Sequence, residues 1–458
     1  MEKKHIVALE IGSSKIRGAV GIYNPATGDI TVKAVEEEKL VDCVRYGCIQ
    51  NVAEVTNRVR AIIKRLDALD HTRRIKGVYV AIGGRSVTAS SATFERRFAA
   101  DAEITRDVVK SLFDEARSTL YNERDVIDVT PREFRVDNAV VSQPVGTIGH
   151  SIQAVLNMVT ARPQIKRNIY SVVQDRLQLD INGCIVRQIA QANVVLNMED
   201  MRLGCMLVDF GAETTTVSIY RNGTLQYLAT LPIGSRNITR DITTLNHLEE
   251  TAEKLKTHGG NALSNNVSAA FGAYDSTGDY VEMNNYVSAR AGEIIANIHQ
   301  QIKYANLTAD KIPSGIVIVG NGARMKGFNE LLAETLGMRV RTGIPQNVNI
   351  ENPGIHISEA VDVIAILHAA ATRGAKDCTE EINDIDTITD STTEQGDQST
   401  NKSGEQIGVK PHIITETDTT RNPKPNPGRK YWDRIRERML SIMSDDEDNF
   451  APDEEDDN

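Results

Sequence analysis

The sequence predicts an α/β protein in which two similar domains enclose a cleft, with a small inserted subdomain and a C-terminal tail. Three observations lead to this prediction. A strand–turn–strand pattern occurs twice, the pattern is interrupted over residues 85–160, and the composition turns polar after residue 374. The chain has 458 residues, 40% of them apolar, which is enough to form two sizeable cores.

The strand–turn–strand pattern is clearest around Asp209. An apolar run ends at this residue, crosses a turn of small residues at Gly211 and Ala212, and resumes as alternating Thr, Val and Ile. Two antiparallel strands joined by a tight hairpin are predicted. Backbone N–H groups and the hydroxyls of Thr214 and Thr215 could bind an anion there, with Asp209 as a metal ligand. An ordinary hairpin without a ligand is the alternative for this segment alone.

The same pattern occurs near the N-terminus, over residues 6–23. Glu10 stands two residues before Gly12, and Ser13 and Ser14 complete the turn. A third predicted strand follows in both copies. Two such units about 200 residues apart predict two similar domains that face each other, each offering a hairpin to the same phosphates.

Composition limits the classes of partner. The net charge of −11 argues against a general nucleic-acid binder, so protein and nucleotide partners are expected. Five cysteines without metal-ligand spacing predict reduced thiols in a cytosolic setting. No apolar run approaches the roughly 18 residues of a spanning helix, and no secretion signal is recognisable, so any membrane contact is expected to be peripheral.

The remaining elements follow in order along the chain. The patterns predict a helix at 52–69, a strand at 77–84, a strand, a helix and two further strands within 85–160, helices at 163–177 and 187–196, and helices at 245–258 and 287–304. The helix at 187–196 is rich in small residues, which suits a hinge between domains.

Two of these helices carry candidate binding residues. In the first, Glu253 and Lys256 share a face, although a surface ion pair is the simpler interpretation. In the helix at 287–304, Arg290, Glu293 and Asn297 are expected to point outward and are candidates for contact with a partner. An idle solvated face is the alternative.

A third loop follows a buried type of strand at residues 315–319. It consists of Gly320, Asn321, Gly322 and Ala323. Glycines at such a position let the backbone lie against a flat ring or a phosphate, although the signal alone is weak.

With three such loops in this order, the chain resembles the superfamily of actin, Hsp70 and sugar kinases. Within that superfamily it resembles the FtsA family of bacterial cell-division proteins over residues 1 to about 373. The resemblance implies an α/β fold of two duplicated actin-like (ribonuclease H-like) domains around a nucleotide cleft that binds ATP and Mg²⁺. The implied nucleotide site comprises a first phosphate loop from Glu10 to Lys15, a second from Asp209 to Thr215, the adenosine loop at 320–323, and Glu253 and Lys256, with Glu10 and Asp209 as metal ligands.

The resemblance also implies a function and a domain plan. Family members would form actin-like polymers, bind the tubulin-like FtsZ through the second domain, recruit later division proteins, and act on the cytoplasmic face of the inner membrane at the septum. The implied segments are domain 1 (1–84 and, with the hinge, 161–204), an inserted subdomain (85–160), domain 2 (205–373), a disordered linker (374–428), a membrane-targeting helix (429–444) and an acidic tail (445–458).

The chain departs from the family pattern in its loops. Glu10 stands where Asp is usual, Phe210 and Glu213 stand among positions that are normally smaller, and Asn321 stands where Gly is common. A longer carboxylate displaces a bound metal ion, and misplacement on that scale lowers activity about 100-fold.

Hydrolysis of ATP is expected to be slow or absent. The hinge helix offers only Gln188 and Gln191 to orient an attacking water, and Gln191 is the candidate catalytic residue. An amide can orient water but is no general base, so ATP is expected to act as a conformational ligand.

Two enzyme classes of the same superfamily are the alternatives. A sugar or acetate kinase needs an additional base near the loops, and none is found. An Hsp70-like ATPase needs a β-rich domain after about residue 380, where the chain instead has a polar segment that cannot bury a core.

The segment 429–443 predicts an amphipathic helix that binds an anionic membrane surface. Its apolar face and its basic residues include Trp432, Ile435, Arg436, Met439 and Met443. Docking in a protein groove is the alternative. The nine acids of residues 445–458 oppose membrane binding and predict a weak, salt-sensitive interaction.

Overall fold

The computed structural model describes residues 2–263 and 277–382, and it confirms the α/β class. The strands are β1 (Lys4–Ile11), β2 (Lys15–Tyr23), β3 (Ile30–Lys39), β4 (Val44–Arg45), β5 (Cys48–Ile49), β6 (Arg73–Ile75), β7 (Gly77–Ile82), β8 (Thr88–Glu103), β9 (Asp125–Val136), β10 (Ala139–Val141), β11 (Ile148–Ala161), β12 (Asp180–Val186), β13 (Cys205–Phe210), β14 (Thr215–Arg221), β15 (Thr224–Leu231), β16 (Ile316–Val319), β17 (Val340–Thr342), β18 (Asn349–Ile350) and β19 (Thr379–Glu381).

Helices cover both larger sheets. They are α1 (Val52–Asp67), α2 (Arg106–Arg117), α3 (Pro163–Tyr170), α4 (Arg187–Val195), α5 (Met198–Leu203), α6 (Ser235–Thr243), α7 (Glu249–Gly259), α8 (Thr277–Tyr304), α9 (Phe328–Leu336) and α10 (Val361–Thr372). A π-helical stretch (Ser171–Arg176) continues α3, and 3₁₀ turns occur at Ala309–Lys311 and Asn321–Arg324. Within the part of the chain that the structure describes, no helix is long and apolar enough to cross a membrane.

The two larger sheets share a five-stranded topology, to which the first sheet adds β18. The first has the order β12-β7-β1-β2-β3-β18 and the second the order β15-β14-β13-β16-β17. In each sheet three strands consecutive in sequence form an antiparallel meander, β1–β2–β3 in the first and β13–β14–β15 in the second. The first strand of each meander also pairs in parallel with a later strand, β1 with β7 and β13 with β16. This repetition confirms the predicted duplication. Because carboxyl ends of parallel strands meet at one sheet edge, the residues that end these strands lie together.

The inserted subdomain is an antiparallel sheet covered by one helix. Its strands have the order β10-β9-β11-β8, and α2 packs against them. The helix begins after Thr105, whose hydroxyl accepts the Val108 N–H at 3.4 Å. The subdomain has a core of its own, which includes Leu112, Leu156 and Met158.

Helix α10 lies at the centre of the first domain and was not predicted. It is apolar on nearly all sides, as expected for a helix that packs against α4 on one side and the first sheet on another. Helices α5 and α6 were also missed, and α8 begins at Thr277 rather than at residue 287.

The predicted disordered linker begins too early. Residues 379–381 form β19, which pairs with β6 through Thr379 and Ile75. Cys378 is buried, and its carbonyl accepts the backbone N–H groups of Lys76 and Gly77 at 2.9 and 3.1 Å. A window dominated by polar residues concealed this short packed segment. The rest of the predicted linker, the predicted helix at 429–444 and the acidic tail lie outside the described residues.

Candidate functional site

The two predicted phosphate loops are matching hairpin turns. In the β1–β2 turn the Gly12 N–H donates to the Lys15 carbonyl at 3.0 Å, and in the β13–β14 turn the Gly211 N–H donates to the Thr214 carbonyl at 2.9 Å. The last carboxylate of each first strand, Glu10 or Asp209, lies just before its turn. Sequence reasoning placed both turns correctly, because glycine and strand alternation are local signals.

Arg187 joins the two acids, one from each domain. Its Nη1 lies 2.8 Å from Glu10 Oε1 and its Nη2 lies 2.8 Å from Asp209 Oδ2. The arginine is the first residue of α4, directly after β12, so it emerges at the sheet edge where β1 ends. This residue was missed by sequence reasoning. Its only signal is a lone cation at the start of an otherwise apolar and amide-bearing hinge helix.

Burial and mutual electrostatic interaction shift the pKa values of Glu10, Asp209 and Arg187. Burial, together with Asp362, raises the pKa of Glu10 to about 7, although Arg187 acts in the opposite direction. Burial also raises the pKa of Asp209, against the lowering effect of Arg187. Burial disfavours the charged guanidinium, but the attraction of the surrounding acids outweighs it and raises the pKa of Arg187. The arginine therefore stays charged and neutralises much of the acidic site.

The predicted metal ligands do not fit Mg²⁺ in this structure. Magnesium requires oxygen ligands at about 2.0–2.1 Å in octahedral geometry. The guanidinium of Arg187 lies between Glu10 and Asp209 and occupies an oxygen of each. The cation that contacts both acids in this structure is the arginine.

The amides of the hinge helix are held by acids. The Gln191 amide nitrogen donates to Asp362 Oδ1 at 2.5 Å, and the Gln188 amide nitrogen lies 3.3 Å from both Asp209 Oδ2 and Thr216 Oγ1. Neither Gln188 Oε1 nor Gln191 Oε1 has a hydrogen-bond partner, although both are buried. A buried acceptor without a partner is unfavourable, so this part of the cleft is suited to a polar ligand.

The lysine of the first loop does not point at the cleft acids. Lys15 pairs with Glu37 of the neighbouring strand at 2.8 Å. Arg17 on the same strand as Lys15 does reach the cleft, since its Nη1 lies 3.5 Å from Asp362 Oδ2 and its Nη2 donates to Asn321 Oδ1 at 3.4 Å. Asn321 therefore joins the predicted adenosine loop to the first domain.

The hydroxyl groups predicted for phosphate binding divide into two sets. Ser13 and Ser14 are partly exposed in the first turn. In the second turn Thr214 is buried, and the Thr215 hydroxyl donates to the Ile233 carbonyl at 2.7 Å. Ala212 is partly exposed, and its carbonyl accepts the Arg236 N–H at 2.7 Å. Thr215 is thus committed to the fold, while the two serines remain accessible.

Glu213 closes the second turn onto the first domain. Its carboxylate accepts the Tyr46 N–H at 2.7 Å and lies 3.3 Å from Arg236 and 3.2 Å from Arg240. Although this acid looked out of place in a phosphate loop, it is only 1% exposed and fully paired. It acts as a bridge between the two domains.

The predicted adenosine loop packs on its own domain. It forms the 3₁₀ turn Asn321–Arg324, with Gly322 and Ala323 buried. A Cβ atom added at Gly322 would lie 2.7 Å from the Phe210 ring, and one at Gly320, where φ is +91°, would lie 2.4 Å from the Phe210 carbonyl. Phe210 in turn stacks on Phe328, with ring centroids 4.5 Å apart. Both glycines are therefore required for close packing on Phe210.

Glu253 and Lys256 form more than a surface pair. Lys256 is buried, donates to Thr239 Oγ1 at 2.8 Å and pairs with Glu253 at 2.6 Å. Burial lowers the pKa of Lys256 despite the opposing effect of Glu253. The Ser235 carbonyl also accepts from Lys256, so this cluster fixes α7 to the start of α6.

Of the three residues predicted to face outward from α8, Arg290 and Glu293 are instead covered by contacts within the domain. Arg290 forms a two-point ion pair with Asp241 of α6, at 2.6 and 2.9 Å, and it also pairs with Glu293. The Arg290 and Glu293 side chains are only 13% and 15% exposed, and the Asn297 amide donates to the Glu293 carbonyl. The prediction failed because α6, which covers this side of α8, was not foreseen.

The predicted membrane-facing residues Trp432, Ile435, Arg436, Met439 and Met443 lie outside the described residues. The sequence interpretation of that segment therefore stays a prediction.

Comparison with known proteins gives consistent results. The family "Cell division protein FtsA" matches residues 206–361, and the family "SHS2 domain inserted in FTSA" matches residues 84–160. The cell division protein FtsA of Porphyromonas gingivalis is 29% identical over 95% of this chain and 95% of its own length. The FtsA of Pseudomonas aeruginosa is 27% identical over 75% of this chain and 84% of its own length.

Among solved structures, the PilM–PilN type IV pilus biogenesis complex shares the fold. It superposes with a TM-score of 0.57 and 17% identity, covering 81% of this chain and 98% of that one. The matched families cover the second domain and the insertion, and the repeated sheets account for the rest of the described fold. The chain therefore belongs to the FtsA family of cell-division proteins, with an actin-like fold that carries an inserted SHS2 domain.

Proposed function

We propose that this chain is an ATP-binding adaptor that tethers FtsZ filaments to the cytoplasmic face of the inner membrane at the division septum. It also self-associates into actin-like polymers and helps to recruit later division proteins. The observation that carries this proposal is that both the second actin-like domain and the SHS2 insertion match FtsA families within one chain.

The cleft geometry supports nucleotide binding. Each of the two matching turns follows an acid, and Arg187 pairs with both of these acids. Buried polar atoms of Arg187, Gln188 and Gln191 have no hydrogen-bond partner. Such atoms are normally satisfied by a ligand or by water. ATP is the nucleotide proposed.

ATP is proposed to be a conformational ligand that is hydrolysed slowly or not at all. Gln191 donates its amide to Asp362, and Gln188 donates to Asp209 and Thr216, so both amides are fixed by acids. Neither is a base that could accept a proton from water. Binding that joins the two domains would instead favour one arrangement of the cleft.

The FtsZ contact is proposed on the exposed side of α8. Since Arg290 and Glu293 are engaged within the fold, the surface open to a partner is formed by other residues of this helix. Glu282, Asn285, His299 and Lys303 are exposed on it.

The membrane contact is proposed at residues 429–443. Trp432 and the apolar residues that follow it would enter the interface, while the basic excess would contribute about 1 kcal/mol per residue near anionic lipid. Because the acidic residues 445–458 oppose this attraction, single chains would bind weakly and polymers would bind strongly.

Purified FtsZ from the same cell would test the partner assignment. The full chain should retain FtsZ on a column, and Lys303→Glu should weaken retention. Lys254→Glu is the matched control, because it makes the same charge change at an exposed position of α7. The interface assignment fails if both variants retain FtsZ as well as the wild type, and the proposed function fails if the wild type retains none.

A further inference from the structure

Arg187 makes the contacts that a metal ion would make in this cleft. One carboxylate comes from the first hairpin and one from the second, and the guanidinium lies between them at 2.8 Å from each. The arginine side chain is 13% exposed and the acids 4%, so the three charges are shielded from water. A single cation thus links the two domains at the base of the cleft.

The surrounding acids leave no site for a second cation. Asp362 is the third carboxylate nearby. It accepts a hydrogen bond from Gln191 at 2.5 Å and forms an ion pair with Arg17 at 3.5 Å. A magnesium ion beside Glu10 or Asp209 would lie within a few ångströms of the guanidinium, where like charges repel strongly because water is excluded. Within the described residues, the only group of three potential ligands close enough to hold a metal lies elsewhere, on the inserted subdomain.

Arg187 also retains a donor. Its Nε is buried and has no hydrogen-bond partner, while its two terminal nitrogens hold the acids. A guanidinium carries five N–H donors in a planar fork and binds phosphate oxygens well. The same side chain can therefore replace the metal toward the carboxylates and toward a phosphate.

We propose that Arg187 replaces the divalent cation in this cleft, so that the chain binds nucleotide phosphates without magnesium. This proposal rests on the proposed binding of ATP. It differs from the expectation of an ATP–Mg²⁺ site, and it assigns to Glu10 and Asp209 the role of orienting an arginine rather than of ligating a metal.

The first test measures the affinity of the full chain for a fluorescent ATP analogue in Mg²⁺ and in EDTA. The wild-type dissociation constant should change less than about threefold between the two conditions. Arg187→Ala should lose about tenfold or more in EDTA and should recover in Mg²⁺, because Glu10 and Asp209 are then free to bind the ion. A wild-type affinity that falls more than about threefold in EDTA overturns the proposal.

The second test needs no nucleotide. Electron paramagnetic resonance measures the number of Mn²⁺ ions bound by four proteins. They are the wild type, Asp209→Asn, Arg187→Ala and the double variant that carries both substitutions. The wild type and Asp209→Asn should bind equal numbers of ions. Arg187→Ala should bind one ion more than the double variant. An ion bound by the wild type and lost in Asp209→Asn contradicts the proposal.

Together the two tests separate the failures. If the wild type binds no nucleotide in either condition, the proposed ATP binding fails, and the Mn²⁺ counts still decide the role of Arg187. If Arg187→Ala does not fold, Arg187→Gln replaces it, since its amide can still donate to a buried acid while both carboxylates remain in place.

Discussion

Replacement of Glu213 tests how the two domains are joined. This carboxylate belongs to the second hairpin turn, yet it accepts a backbone N–H of Tyr46 and pairs with Arg236 and Arg240. Tyr46 has a φ of +50°, an unusual value for a residue with a side chain, so the carboxylate also helps to hold a strained turn. Glu213→Ala should remove all of these contacts at once.

The expected loss is several kcal/mol. Removing one partner of a buried ion pair costs about 3–5 kcal/mol, and the lower end applies here because Arg240 is 33% exposed. For domains of 150–250 residues, a loss of about 3 kcal/mol lowers the thermal midpoint by roughly 6–12 °C. Glu213→Gln should fall between wild type and Glu213→Ala, since its amide oxygen can still accept the Tyr46 N–H while the charge is gone.

Thermal unfolding followed by circular dichroism would measure these shifts. Lys254→Ala is the control, because it breaks an exposed pair with Glu250 and should change stability by less than about 0.5 kcal/mol. If Glu213→Ala unfolds at the same temperature as this control, Glu213 does not join the domains in the way described.

Three further predictions concern packing. Gly322→Leu should destabilise the fold by about 1–3 kcal/mol even without nucleotide, because its Cβ would meet Phe210; an unchanged midpoint in thermal unfolding would contradict this. Arg290→Glu should cost about 3–5 kcal/mol by the same measurement, whereas the exposed Lys303→Glu should stay within about 0.5 kcal/mol; equal effects would refute the buried pair. Burial raises the pKa of Cys378 to about 11, so thiolate is scarce at pH 8, and mass spectrometry should find alkylation only after unfolding; rapid labelling of the native chain would place Cys378 in a loose tether instead.

The hairpins could be predicted from the sequence because their signals are local. Glycine turns, an acid before each turn and alternating β-branched residues all fall within about ten residues of one another. The partners of those acids could not be predicted in the same way. Arg187 lies 177 residues from Glu10 in sequence, and only the parallel placement of β12 and β1 on either side of β7 brings the two together.

Asp362 is a sequence signal that could have indicated a buried polar cluster in the first domain. It is a lone acid in the apolar run that forms α10, and a charged residue in such a run needs a buried partner. The error on α8 has a related cause. Its apolar periodicity identified the buried face, but Arg290 flanks that face and is covered by Asp241 of α6, a helix that was not predicted. Periodicity indicates which residues are buried, while the partners of flanking residues depend on tertiary packing.

Co-flotation tests the central claim most directly. Purified FtsZ is mixed with the full chain and anionic liposomes and is centrifuged through a density gradient. FtsZ should float with the liposomes only when the chain is present, and it should remain in the dense fraction when Trp432 and Ile435 are both replaced by Glu. Flotation of the wild-type chain without FtsZ, or equal flotation of FtsZ with the double variant, would contradict the account.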